Sequence, residues 1–192
     1  MNILFVNCCV RKQSRTYRLA QHFLQQLSGE ITEVNPVKEK IHGLDEETLI
    51  IRDKALAQQE LDHPVLKWAV QFAAADMIVI AAPYWDLSFP ASLKTYIERV
   101  NCVGVTFAYD EAGRPYGMCQ AEKFVYITTA GGMIINDAYG YGYLRALCDN
   151  FYKIPETVCF KAENLDMPDT DAEAVLRETE NEIDAYLLTC KD

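Results

Sequence analysis

The sequence predicts an α/β fold: one domain built on a five-stranded parallel sheet with helices on both of its faces. Three observations carry this. Apolar runs of strand length alternate with stripes of helical spacing along the whole chain, the pattern of repeated βα units. One of those runs, Met77–Ala81 (MIVIA), is apolar at every position, as a strand covered on both faces must be. The 192 residues, half of them hydrophobic, suffice for one core, and no repeat, low-complexity tract or linker divides residues 1–192.

Taken in order, Ile3–Val6 is the first strand and residues 8–16 are a polar loop. Ala20, Phe23, Leu24 and Leu27 then recur at helical spacing, a stripe that ends near Gly29. Ile31–Asn35 is a weaker strand closed by Pro36. Residues 37–63 carry a helix from Asp45 but no clean apolar stripe, and read as a solvated connector. Leu66, Ala69, Val70 and Ala73 mark a helix leading into the strand Met77–Ala81. Another helix begins at Pro90, with Leu93, Tyr96, Ile97 and Val100 on one face. Gly104–Gly117 alternates like a strand and then turns at Gly113 and Pro115. Phe124–Thr128 is the fourth core strand, residues 139–152 form a helix, and Thr157–Phe160 is the fifth strand. The last helix, Asp171–Leu188, has acidic residues in its first turn, where the helix dipole favours them. Right-handed crossovers leave few strand orders, and 2-1-3-4-5 is a common one for such a sheet.

Charge and composition narrow the partners. A net charge of −10 argues against a nucleic-acid groove, which needs clustered Lys and Arg, and disfavours an anionic membrane. No apolar run approaches the roughly 20 residues of a membrane helix, and no secretory signal opens the chain. Seven scattered cysteines without C-x-x-C pairs suit buried thiols in a reducing compartment, so a cytoplasmic protein is expected. His22, His42 and His63 share no ligand spacing, which argues against a metal site.

In the expected strand order the loops after strands one, three and four converge. The first, Asn7–Thr16, enters a helix with Ser14, Arg15 and Thr16. Free helix-start amides, two hydroxyls and a cation make a phosphate seat, although Ser14 serves equally as an N-cap. It lacks the G-x-G-x-x-G and G-K-[ST] patterns of dinucleotide and triphosphate loops. The second loop, Pro83-Tyr84-Trp85-Asp86-Leu87, frees aromatics at a strand end. These offer faces for an aromatic ligand, or else Trp85 packs beneath a neighbouring loop. The third, Thr129-Ala130-Gly131-Gly132, lets backbone come close to a ligand, or is a plain turn. Phosphate seat, aromatic shelf and amide-lined loop together suit a flat phosphorylated cofactor, with FMN the first candidate. Cys8-Cys9 reads as a pair of buried thiols, and Tyr139, Tyr141 and Tyr143 as either pocket lining or the apolar start of a helix.

With AAPYWDLSFPASLKTYIERV, GVTFAYDEAGRPYG and VYITTAGG in view, the chain resembles the flavodoxin-like NAD(P)H-dependent oxidoreductases, specifically the FMN-dependent NADH-azoreductase and quinone reductase group. The resemblance spans nearly the whole chain and implies a flavodoxin-like three-layer fold. It implies FMN as cofactor, NADH or NADPH as electron donor, and small aromatic electron acceptors: quinones, azo or nitro compounds. Ser14, Arg15 and Thr16 would hold the FMN phosphate with Cys9 nearby. Pro83, Tyr84, Trp85, Asp86 and Leu87 would flank the ring, and Thr129, Ala130, Gly131 and Gly132 would border its pyrimidine side. It also implies a homodimer with active sites at the subunit interface, roofed in part by Phe107–Tyr116. Asp86 stands where the group commonly has Asn, and Ala130 where it often has Arg. No catalytic side chain is expected, since the chemistry belongs to the flavin. The alternative is a flavodoxin-type electron carrier, whose Thr-rich, Gly-containing phosphate loop is missing here.

Overall fold

The structure is a computed structural model, and it describes residues 1–189. Five parallel strands form the sheet: β1 (Asn2–Asn7), β2 (Glu30–Val34), β3 (Met77–Ala81), β6 (Lys123–Thr129) and β7 (Glu156–Ala162). Their order is β2-β1-β3-β6-β7, which is the predicted 2-1-3-4-5 once the two strands of a separate small sheet are set aside. All five residues of β3 are buried, while only Val34 of the edge strand β2 is, which explains its weaker apolar pattern.

Alternate residues of each strand serve opposite faces. Leu4, Val6, Ile78, Ile80, Phe124 and Tyr126 look to the layer of α3 (Lys67–Ala73), α4 (Ala91–Val100) and α5 (Tyr141–Leu147). Ile3, Phe5, Met77, Val79, Val125 and Ile127 look to α1 (Arg15–Leu24) and α6 (Ala172–Thr189). The result is the three-layer arrangement. Among the described residues no helix is long and apolar enough to cross a membrane.

The connector carries the expected helix from Asp45, α2 (Glu46–Ala57), which Asp45 caps by accepting the Thr48 N–H at 2.8 Å; only Ala55 of that helix is buried, in keeping with its missing apolar stripe. Two segments differ from expectation. Gly104–Gly117 is a hairpin rather than one strand: β4 (Phe107–Tyr109) pairs antiparallel with β5 (Pro115–Gly117), outside the main sheet. Its turn is closed by Asp110, which accepts the Ala112 and Arg114 N–H groups at 2.9 Å each, and by Gly113 at φ 75°. The expected helix over 139–152 is divided. A 3₁₀ turn (Asp137–Tyr139) precedes α5, and one π turn (Cys148–Tyr152) follows it. Gly140, at φ −112° and ψ −105°, interrupts the first junction. The widened last turn carries Tyr152 into the core, against Phe72 at 4.9 Å between ring centres, with its hydroxyl donating to Asn101 at 2.5 Å.

Candidate active site

Because the strands are parallel, the loops following β1, β3, β6 and β7 emerge at one edge of the sheet, where open α/β folds keep their ligand crevice. They enclose a cleft of about 780 Å³, inside the ~300–1,000 Å³ range of small-molecule sites. Ser14, Arg15, Thr16, Pro83, Tyr84, Trp85, Thr129, Ala130 and Gly131 line it. Cys9, in the first loop, is outside the lining, its N–H donating to the Asn7 side chain at 3.0 Å and its Sγ to the Ala81 carbonyl at 3.7 Å. Asp86, Leu87 and Gly132 are not part of the lining.

The first wall is the entry to α1. Ser14 is its N-cap: the hydroxyl accepts the Tyr17 N–H at 3.1 Å. That leaves the amides of Arg15 and Thr16 without intrahelical acceptors, as at any helix start. The preceding N–H groups of Val10–Gln13 also donate to no protein acceptor among the described residues. Thr16 is buried and its hydroxyl is taken, meeting that of Thr129 at 2.6 Å. Only its main chain is left to meet a ligand. Arg11, Lys12 and Arg15 gather here in a chain of net charge −10.

The second wall is held by an unusual turn. Trp85 and Ser88 exchange two backbone hydrogen bonds of 2.8 Å, so Asp86 and Leu87 form a two-residue hairpin tip. Both have positive φ, 51° and 67°, the type I′ geometry that Asn-Gly normally fills. Neither is glycine, at a cost on the order of 1 kcal/mol each. The left-handed tip sends Asp86 and Leu87 outward into solvent and leaves Tyr84 and Trp85 on the cleft. The turn is further fixed by Ser88, whose hydroxyl donates to the Tyr139 carbonyl at 2.5 Å.

The third wall follows β6. Thr129 accepts the Tyr84 N–H at 2.9 Å, and Ala130 spends its own N–H on Ala162 at 2.9 Å. The N–H groups of Gly131, Gly132 and Met133 have no protein acceptor among the described residues. Beside this wall the buried Tyr84 Oη has no hydrogen-bond partner among the described residues.

Six lining residues lie outside the expected set: Val10, Arg11, Lys12 and Gln13 of the first loop, and Leu165 and Asp166 in the loop after β7. Asp166 accepts from Arg15 at 2.7 Å. The strand-end rule that singles out the other loops also points to Leu165 and Asp166, since Thr157–Phe160 reads as a strand. The hairpin residues 107–116 do not line the chain's own cleft.

Thiol catalysis finds no support in the electrostatics. Burial pushes the Cys9 thiol up to about 11, partly offset by a hydrogen bond with Ser14. Cys8 is raised further, again by burial and then by Cys9. Among the described residues no group of His, Cys, Asp or Glu is arranged to hold a metal ion.

Comparison with known proteins fits this geometry. A family model described as the flavodoxin-like fold matches residues 1–187. The chain is 38% identical over 176 residues to FMN-dependent NADH:quinone oxidoreductase 2 of Clostridium acetobutylicum, covering 86% of each chain. It is 35% identical over 175 residues to the FMN-dependent NADH:quinone oxidoreductase of Coprothermobacter proteolyticus, covering 84% of this chain and 85% of that one. The fold resembles an FMN-dependent NADH-azoreductase from Bacillus anthracis solved with FMN, at TM-score 0.82 and 20% identity over 100% of both chains. On the strength of the family match and these relatives, the chain belongs to the family of the FMN-dependent NADH:quinone oxidoreductases, built on the flavodoxin-like fold.

Proposed function

We propose that this protein is an FMN-dependent oxidoreductase that takes two electrons from NADH and delivers them to quinones, azo compounds or nitro compounds in two alternating half-reactions. The observation that carries the reading is the convergence of an amide-rich, cationic helix start and an aromatic wall on one cleft.

The residues present suit FMN. Unclaimed amides of Val10–Gln13 and the start of α1 would take the phosphate, supported by the charge of Arg11, Lys12 and Arg15. Tyr84 and Trp85 give a flat ligand a stacking wall. The free N–H groups of Gly131 and Gly132 would meet its polar edge. Bound there, FMN would supply the redox chemistry, a two-electron exchange between a nicotinamide and an acceptor.

The chain's own work is binding, orientation and electrostatics. The Gly131–Met133 amides are donors already in place for negative charge that develops on the ring edge, so little reorganisation is needed. Asp86 is exposed and lies outside the cleft lining, which would limit its repulsion of charge on the ring. Donor and acceptor would share the open side of the same shelf.

Trp85, Leu87, Tyr139 and Ile135 are exposed apolar residues on these loops, and Tyr109 and Tyr116 on the hairpin. A homodimer in which the hairpin of one chain roofs the cleft of the other would cover such surface. Sedimentation or light scattering giving a monomer would remove that part of the reading.

The test is direct. Purified protein supplied with FMN should oxidise NADH, or NADPH, with benzoquinone or an azo dye as acceptor. No turnover with either nucleotide over a broad acceptor panel would overturn the enzyme and leave a carrier of electrons.

A further inference from the structure

Asp166 is placed where an anion seat should not want a carboxylate. It follows β7, and its loop is laced to the third wall by three main-chain bonds: Asn164 N–H to Gly132 at 3.0 Å, Leu165 to Ala130 at 3.2 Å and Asp166 to Gly131 at 2.9 Å. Its Oδ1 accepts from Arg15 Nη1 at 2.7 Å. Its Oδ2 lies so close over Gly131 that a side chain there would collide with it. The carboxylate thus bridges the third wall and the start of α1, and it is part of the cleft lining.

As a stabilising contact the pair counts for little, since the Arg15 and Asp166 side chains are 42% and 68% exposed. As a feature of a binding site it counts for more. Arg15 is the first residue of α1, where the helix end is already positive. The one negative charge that Asp166 brings to the cleft offsets the charge of that guanidinium.

We propose that Asp166 determines the affinity and charge selectivity of the seat by competing with the ligand's phosphate for Arg15. The proposal rests on the FMN reading of this cleft and deepens it. A carboxylate carries one charge, whereas a phosphate monoester carries about −1.5 to −2 at neutral pH. A monoester therefore draws the guanidinium away from Asp166, and an uncharged ligand does not. The seat admits a phosphorylated ring at a cost that Asp166 sets, and holds it less tightly than Arg15 alone would.

Equilibrium dialysis of the full chain against FMN, riboflavin and inorganic phosphate tests this. Asp166→Asn should bind FMN and inorganic phosphate roughly two- to tenfold tighter, with riboflavin within about twofold. Asp166→Ala, which cannot donate a hydrogen bond to phosphate, should shift in the same direction. In an Arg15→Gln background the gain from Asp166→Asn should shrink. FMN binding unchanged or weakened in both Asp166 variants, or riboflavin tightened equally, overturns the proposal and leaves the FMN reading standing. Absence of any flavin binding, with the phosphate shift retained, overturns the FMN reading and upholds the competition at Arg15.

Discussion

The Thr16 and Thr129 hydroxyls meet at 2.6 Å inside the protein, tying the first turn of α1 to the last residue of β6. Both residues are buried, 1% and 9% exposed, so neither hydroxyl can fall back on water if the other is removed. Thr16→Val should therefore cost about 1–3 kcal/mol, the price of stranding a buried hydroxyl. Replacing both by Val should cost less than the sum of the two single changes. Urea unfolding of the four proteins in a double-mutant cycle measures the coupling; additive effects would mean that the hydroxyls do not depend on one another.

Two glycines should respond very differently to the same methyl group. A Cβ on Gly117 would collide with the Tyr152 carbonyl, which is backbone in the π turn and cannot move aside. Gly117→Ala should lose at least about 2 kcal/mol of stability by overpacking. The nearest atoms to a Cβ on Gly131 belong to the Asp166 side chain, whose exposed carboxylate can rotate away. Gly131→Ala should cost less than about 1 kcal/mol in unfolding experiments. Its effect should appear instead in phosphate binding, because the rotation separates Asp166 from Arg15.

The layered sheet was legible because its signal is periodic. Runs such as Met77–Ala81 and stripes such as Leu93, Tyr96, Ile97 and Val100 depend on burial, and all of these residues are buried. The convergence of three loops on one cleft followed from strand order alone. What remained hidden depends on single backbone angles and distant pairings. Nothing in the residue types of Asp86-Leu87 announces two left-handed conformations, which make an exposed two-residue tip outside the cleft lining. Hydroxyl side chains beside a helix start suit an anion, but the Thr16 hydroxyl is spent on a residue 113 positions away. Gly140 and the π turn divided a helix whose apolar stripe looked continuous.

Leu87 offers a test of the strain in that turn. At φ 67° a leucine sits where glycine is preferred, and more than half of its surface is exposed, 55%, so little packing would be lost. Leu87→Gly should be neutral or stabilising by up to about 1 kcal/mol, the relief of the left-handed conformation offset by added freedom in the unfolded chain. Thermal unfolding reads this. A clear loss of stability would show that Leu87 makes contacts worth more than its strain.

The buried thiols set the behaviour of the protein in alkali. Burial raises Cys9 to about 11, and Cys119 and Cys159 each to about 12. An unfolded chain begins to release thiol protons near the ordinary value of 9.0, while the folded protein keeps them. The unfolded state then binds fewer protons, so stability falls as pH rises. The loss should begin near pH 9, continue through pH 11–12 and be absent at neutral pH. Urea midpoints measured from pH 7 to 10.5 should decline only in the upper part of that range. Cys159→Ala should flatten the decline, and iodoacetamide at pH 7.5 should label Cys9 only when the protein opens.

Trp85 decides between a binding wall and a packing role. Its backbone is fixed by the paired bonds to Ser88, and its side chain lines the cleft while remaining 38% exposed. A tryptophan needed for the core would be buried more fully than this. Trp85→Ala should thus leave stability within about 1 kcal/mol while removing one stacking face from the ligand. The expected loss in FMN affinity is about 1 kcal/mol beyond simple area, or roughly fivefold. Riboflavin should weaken by the same factor, because the ring and not the phosphate is affected, and inorganic phosphate should not change. That pattern is the reverse of the one expected at Asp166, so the two substitutions together separate the ring wall from the phosphate seat. Unchanged affinity for both flavins, with a fall in stability, would make Trp85 a packing residue beneath the neighbouring loop.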